Sequence, residues 1–154
     1  YEARTAHGSS LSPSIHAQVA ARLGDTAMGL RYFQQAAAID IADSTRSEAQ
    51  GIHIATQGGL WQAAVLGFAG VDVCPDGLHL DPHLPEAWNE LHCALHWHRR
   101  EICVASTAAP LAVSFSMQGR ACDIYLGAAT VHLEPGQDVR YQWDANSHTW
   151  TQKS

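Results

Sequence analysis

The chain of 154 residues is long enough for one ordinary domain or two small ones, and 46% of its residues are hydrophobic. This apolar content excludes a disordered chain because it is sufficient to form a buried core. The formal net charge of −6 leaves no basic surface for a nucleic-acid backbone, so nucleic acid is not an expected partner. No apolar run approaches the ~20 residues of a membrane-spanning helix, so no membrane partner is expected either.

The first predicted helix lies within residues 9–24. Its apolar residues recur at every fourth position, and Gly24 ends it; they are Leu11, Ile15, Val19 and Leu23. Ser9 and Ser10 stand at its start, where two interpretations are open. A serine can cap the helix, or the hydroxyls and free N–H groups of a helix N-terminus can bind an anion.

Two further helices are predicted before residue 70. Residues 26–39 carry an apolar stripe at helical spacing and are followed by the polar connection "DIADSTRSEAQG". Residues 52–69 are apolar on nearly every face, which predicts an inner helix that is buried all round. His53 lies in its opening turn, where an imidazole could donate to an oxyanion or simply close the turn.

The pattern changes after residue 70. Residues 71–89 contain short extended pieces interrupted by prolines, which indicates a connecting segment. Residues 90–154 alternate between apolar and polar side chains in short runs separated by turn signals, which predicts an antiparallel β-sandwich. We therefore expect an α+β chain with a helical part at 1–70, a connection at 71–89 and a strand domain at 90–154.

The most metal-like feature is a set of three histidines on one face of a predicted strand, His92, His96 and His98. Only one strand is involved, and the sequence alone indicates no cysteine or carboxylate that converges on this set. An outward polar face is ordinary for a half-buried strand, so no metal site is predicted. A covalent hydrolase is not indicated either, because the chain has no G-x-S-x-G motif. No pair of carboxylates has a spacing that dictates glycosidase geometry. Glu2 is near the serines in the sequence and could contact a sugar, but a surface position is the more common role for such a residue.

Four blocks carry a resemblance to a known family. They are "YEARTAHGSSLSPSIHAQVAARLGD", "AAAIDIAD", "GIHIATQGGLWQAAVLGFAGV" and "GLHLDPHLPEAWNELHCALHWH". In order and spacing they resemble the C-terminal portion of glycoside hydrolase family 65, which contains inverting phosphorylases of maltose, trehalose and kojibiose. The resemblance covers residues 1 to about 105 and implies the last helices of an (α/α)6 catalytic barrel followed by a small antiparallel β-sandwich domain.

The resemblance also implies a function. It places Ser9, Ser10 and His53 at phosphate-binding positions, with Glu2, His7 and Gly51 as further contacts of the substrate site. Inorganic phosphate would be the co-substrate of an α-linked glucose disaccharide, with no other cofactor. The family's general acid lies upstream of these blocks, so this chain is expected to be a fragment that is inactive alone.

The remaining expectations concern the whole protein. The resemblance implies a homodimer, and the absence of close cysteine pairs indicates thiols in a reducing, cytoplasmic compartment. Two alternatives stay open. One is a hydrolase of the same family, which would use a carboxylate base. The other is a noncatalytic carbohydrate-binding module with a face of tryptophans, of which Trp61 and Trp97 fit core positions better than an exposed face.

Overall fold

The computed structural model describes residues 9–40 and 52–153. These residues belong to two compact units, which divide the chain between Phe68 and Ala69. The first unit is helical and the second is built of strands. Within the described residues, no helix combines the length and the apolar character needed to cross a membrane. The α+β class predicted from the sequence is confirmed.

The described part of the helical unit contains α1 (Ser12–Arg22), α2 (Thr26–Ala38) and α3 (Ile54–Gln62), which continues as a π-helical segment, Ala63–Phe68. Gly24 ends α1 with a φ of +80°, a conformation that glycine adopts without strain. Asp25 then caps α2, because its carboxylate accepts a hydrogen bond of 3.0 Å from the N–H of Met28. The first two predicted helices are therefore confirmed, including the turn between them.

The packed face of α1 is formed by small residues and not by the predicted apolar stripe. Its buried residues include Ser14, Ala17 and Ala21, whereas the stripe Leu11, Ile15, Val19 and Leu23 is 41–80% exposed. The fourfold period correctly predicted a helix. It could not show which face packs, because α1 approaches its neighbours closely and only short side chains fit between them.

The prediction that residues 52–69 form a helix buried all round is wrong for its first half. Ile54 is 79% exposed, and Trp61, expected in the core, is 58% exposed. The π-helical segment, in contrast, is largely buried, and Phe68 contacts Phe33 edge to face with ring centroids 5.9 Å apart. The described helices cover only one side of α3, so its other apolar side faces outward.

The strand unit contains nine strands in its described residues. They are β1 (Asp72–Cys74), β2 (Gly77–Leu80), β3 (Glu90–Trp97), β4 (Arg100–Ala108), β5 (Leu111–Gln118), β6 (Cys122–Leu126), β7 (Ala129–Leu133), β8 (Val139–Asp144) and β9 (Thr149–Lys153). They form a four-stranded sheet in the order β1-β2-β6-β7 and a five-stranded sheet in the order β3-β4-β5-β8-β9. The β2–β6 pair is parallel and the other pairs are antiparallel. Residues 71–89, predicted to be a connection, thus carry β1 and β2 of the smaller sheet.

The two sheets bury alternate residues between them, as the sequence pattern predicted. Phe115 of β5 and Ile124 of β6 are fully buried, and the thiol of Cys122 lies 3.5 Å from the sulfur of Met117. His92 and His96 lie on the exposed face of β3. His98 lies beyond the end of β3, in a turn with a φ of +47°, so the three histidines do not share one strand face.

Two adjacent glycines in α3 test the close packing of the helical unit. A Cβ added at Gly59 would lie 2.8 Å from the Cβ of Ser14, whereas one added at Gly58 would meet nothing within 4 Å. We therefore expect Gly58→Ala to stabilise the unit by up to about 1 kcal/mol, because alanine favours helix. Gly59→Ala should destabilise it by about 1–3 kcal/mol through overpacking. Urea unfolding measures both changes, and equal effects would contradict the close approach of α1 and α3.

Candidate functional site

The end of α2 and the start of α3 are joined by the carboxylate of Asp40. This carboxylate accepts a 2.7 Å hydrogen bond from Nδ1 of His53, bonds of 3.2–3.3 Å from the His53 backbone N–H, and one of 3.1 Å from Nε2 of Gln57. The Asp40 side chain is only 11% exposed. His53 is therefore fixed through both its backbone and its ring.

The position of Asp40 explains why it needs so many donors. It lies just beyond the C-terminal end of α2, where the helix dipole disfavours a negative charge. The hydrogen bond from the His53 side chain is the largest of the effects that lower the pKa of Asp40, so the group is a carboxylate at neutral pH. A carboxylate only accepts hydrogen bonds, so the His53 ring carries a proton on Nδ1 and can use Nε2 for another group.

His53 stands at the N-terminus of α3 as its N-cap residue. Its carbonyl accepts the N–H groups of Thr56 and Gln57, at 2.9 and 3.3 Å, but its side chain does not cap the helix. The imidazole instead turns to Asp40, and 31% of the His53 side chain is exposed. The ring thus lies beside the positive end of the α3 dipole, where an anionic ligand is favoured.

Ser10 lies beside the first turn of α3. Its carbonyl accepts a 3.2 Å hydrogen bond from the hydroxyl of Thr56, which is fully buried. Ser9 uses its hydroxyl to accept a 3.3 Å bond from the N–H of Leu11. The N-cap residue of α1 is Leu11 and no side chain makes a capping bond there, so neither serine is a conventional N-cap.

The structure thus brings the entry to α1 and the first turn of α3 together, as the anion-binding interpretation requires. Ser9, Ser10 and His53 are hereafter called the candidate anion site. Glu2, His7 and Gly51 were predicted as further contacts, and they lie outside the described residues. Sequence reasoning missed Asp40, although an acidic residue directly after the last apolar turn of α2 was a signal, since a carboxylate at that end of a helix needs a partner.

Comparisons with known proteins identify the family of the chain. Residues 1–62 match the profile "Glycosyl hydrolase family 65 central catalytic domain", and residues 71–125 match "Glycosyl hydrolase family 65, C-terminal domain". A segment that matches the central catalytic domain of a glycosyl hydrolase family is therefore followed by one that matches its C-terminal domain, in the order of the helical and strand units. The chain belongs to glycosyl hydrolase family 65.

Several of its relatives are named as phosphorylases of the disaccharides kojibiose, trehalose and maltose. The chain is 45% identical over 115 residues to a kojibiose phosphorylase of Halothermothrix orenii, an alignment that covers 75% of this chain and 15% of that protein. It is 35% identical over 137 residues to an α,α-trehalose phosphorylase of Thermoanaerobacter brockii, which covers 89% of this chain and 18% of the relative. A solved structure from the human microbiome that carries the name kojibiose phosphorylase has a TM-score of 0.83 at 26% identity, over 94% of this chain and 21% of its own. The chain thus spans less than a fifth of the length of these curated relatives.

The lowered pKa of Asp40 makes a prediction about acid stability. A group whose pKa is lower in the folded state stabilises the fold above its unfolded pKa, about 3.9 for Asp. That contribution is lost as the pH falls through the lower folded-state pKa. Asp40→Asn should therefore have a lower free energy of unfolding than the wild type at pH 7. The difference in unfolding free energy between the two proteins should shrink towards pH 2.

Urea unfolding followed by the helical circular dichroism signal measures this difference across the pH range. Asp123→Asn is the matched control, because Asp123 pairs with His132 at the same 2.7 Å but on an exposed surface of the strand unit. A difference between Asp40→Asn and the wild type that is constant with pH, or that grows in acid, would contradict the assigned role of Asp40.

Proposed function

We propose that this chain is the C-terminal part of an inverting disaccharide phosphorylase, in which the helical unit supplies the last helices of an (α/α)6 catalytic barrel. The enzyme cleaves an α-linked glucose disaccharide with inorganic phosphate to give β-glucose 1-phosphate and glucose. The family match and the phosphorylase relatives support this assignment. The homodimer and the cytoplasmic location implied by the family stay predictions.

The observation that carries the proposal is the fixed imidazole of His53 beside the N-terminus of α3. Nε2 of His53 and the hydroxyls of Ser9 and Ser10 would hold phosphate, with Asp40 acting as a positioning residue behind the ring. His53 either donates from Nε2 as an imidazolium or accepts the hydroxyl proton of monohydrogen phosphate there. Serine hydroxyls hold the anion without neutralising it, so its oxygen stays nucleophilic. A cluster of lysines would neutralise the charge and lower the nucleophilicity of that oxygen.

The bond changes follow the inverting scheme. A phosphate oxygen forms a bond to the anomeric carbon while the glycosidic bond on the opposite face breaks. The departing sugar oxygen receives a proton from a carboxylic acid, which stands outside this chain. The role of the chain is therefore to hold and orient the nucleophile, and the energetic benefit of such positioning is large.

A hydrolase of the same family would need a carboxylate base to activate water at the phosphate position. Asp40 is the carboxylate in contact with His53, but its donors and its lowered pKa make it a weak base. Asp40 is therefore poorly suited to serve as that base. The carbohydrate-module alternative has less support, because Trp143 and Trp150 are half-buried and meet edge to face at 5.5 Å, which does not form a flat sugar-binding platform.

The catalytic test uses the whole enzyme. If Ser10 and His53 hold phosphate, each change to alanine removes a hydrogen bond to a charged group, worth about 1.5–3 kcal/mol. We expect kcat/KM for phosphate to fall about 10- to 150-fold in Ser10→Ala and in His53→Ala. Because both residues hold one anion, the double variant should lose less than the product of the two single losses.

Matched controls are His96→Ala and Ser116→Ala, which lie on the strand unit and should leave phosphate kinetics unchanged. Initial rates with varied phosphate, together with melting temperatures, distinguish phosphate binding by Ser10 and His53 from a purely structural role of these residues. Unchanged phosphate kinetics with lowered melting temperatures would show that these residues stabilise the fold and do not bind phosphate. Disaccharide consumption that does not depend on phosphate would identify a hydrolase.

The exposed stripe of α1 supports the proposed barrel. Its four aliphatic side chains are 41–80% exposed on one face of the helix, and neighbouring barrel helices of the whole enzyme would cover them. In the 154-residue chain, replacing Ile15 and Val19 by glutamate should increase solubility and leave unfolding nearly unchanged. In the whole enzyme the same change should destabilise the catalytic domain, because it buries charge.

The comparison requires solubility and urea-unfolding measurements on both proteins. Thr130→Glu, on an exposed position of β7, is the control and should be tolerated in both. Equal tolerance of the paired Ile15 and Val19 change in the chain and in the whole enzyme would show that nothing covers this face.

A further inference from the structure

The hairpin formed by β1 and β2 brings three potential metal ligands together. Cys74 ends β1, Asp76 lies in the turn and His79 lies in β2, and one ligand atom from each lies within 4.8 Å of the other two. Among the residues that the structure describes, these three are the group of histidine, cysteine and acidic side chains whose ligand atoms lie close enough together to hold a metal ion. The three histidines singled out in the sequence, His92, His96 and His98, do not form such a group.

The hairpin holds these side chains on a rigid frame. Cys74 pairs with Gly77 across the turn, and Gly77 has a φ of +150°, which favours glycine. A Cβ at Gly77 would also lie 3.1 Å from the ring of Tyr125. The same ring stacks on the imidazole of His79, with centroids 4.5 Å apart. The ligand in β2 is therefore oriented by a neighbouring strand before any metal binds.

The donor set indicates which metal fits. A thiolate, an imidazole and a carboxylate together suit zinc, which takes sulfur, nitrogen and oxygen ligands in a tetrahedron. Calcium and magnesium prefer sites made only of oxygen ligands. Separations up to 4.8 Å are somewhat wider than the edges of a zinc tetrahedron, so the turn would close slightly around the ion.

We propose that Cys74, Asp76 and His79 form a zinc site, hereafter the hairpin site, with water as the fourth ligand. Binding breaks the 3.0 Å hydrogen bond between Nε2 of His79 and Asp76. The Nε2 proton is lost to solvent and Nδ1 takes one up, so the neutral ring presents the lone pair of Nε2 to the ion beside a carboxylate oxygen of Asp76. The Cys74 thiol gives up its proton to solvent as its sulfur forms the bond to zinc. The ion would clamp the edge strand β1 to β2 at the tip of the hairpin, and its water ligand would stay exchangeable.

The sequence contained a signal for this site that was not used. The spacing C-x-D-x2-H spans a Pro-Asp-Gly turn, so a hairpin there necessarily returns the histidine towards the cysteine. A second histidine with carboxylate partners offers a contrast. His132 contacts Asp123 at 2.7 Å and Glu134 at 3.7 Å, but no thiol joins them.

Isothermal titration of the metal-free chain with zinc chloride tests the proposal. We expect one zinc ion per chain, and a dissociation constant that rises at least about tenfold in Cys74→Ser and in His79→Gln. Cys103→Ser, at an exposed thiol of β4, and His132→Gln, at the contrasting histidine, are matched controls and should bind zinc as the wild type does.

Cobalt(II) provides a spectroscopic readout that the wild type alone can give, so a test remains even if a variant does not fold. It should give a thiolate-to-metal charge-transfer band in the wild type and in both controls, and no such band in Cys74→Ser. Absence of stoichiometric zinc binding, loss of binding in a control, or a cobalt spectrum without the thiolate band would overturn the proposal. None of these measurements uses phosphorolysis, so the result is independent of the proposed function.

Discussion

The close contact of α1 with α3 is the constraint on which the candidate anion site depends. Ser14 of α1 lies directly against Gly59 of α3, where there is no space for a larger side chain. About one turn before Gly59 in α3, the hydroxyl of Thr56 donates a hydrogen bond to the carbonyl of Ser10. Together these contacts set the serines beside the N-terminus of α3. A longer side chain at either position would separate the two helices and move the serines away from His53.

Asp40 fixes the other half of the site at a local electrostatic cost. A carboxylate after the C-terminus of α2 opposes the helix dipole, and an isolated one would destabilise the helix. The donors of His53 and Gln57 offset that cost only when α3 begins in the observed place. The same bonds that stabilise the connection between α2 and α3 therefore also orient the imidazole, so structure and candidate function share one set of contacts.

The strand unit is specified in a different way. Its core follows from simple alternation along strands such as β4 and β5, where every second residue is buried. Its less regular parts depend on single residues, such as Gly77 beneath the ring of Tyr125. Functional chemistry, where it occurs in this unit, is expected at such turns and not on the regular outer face of the sheets, because turns bring residues of different strands together.

The sequence by itself determined the α+β class, the presence and approximate position of the first two helices, the alternation of β3 and the family, because these depend on local periodicity and on motifs. It also pointed to Ser9, Ser10 and His53 as one site. Only the tertiary structure decided that α1 packs through Ser14 and Ala17 while its aliphatic stripe faces outward, that β2 pairs in parallel with β6, and that Asp40 holds His53. Periodicity reports that a helix or strand has two faces. Which face is buried, and which distant side chains meet, depends on the fit between elements far apart in the chain, and no local pattern encodes that fit.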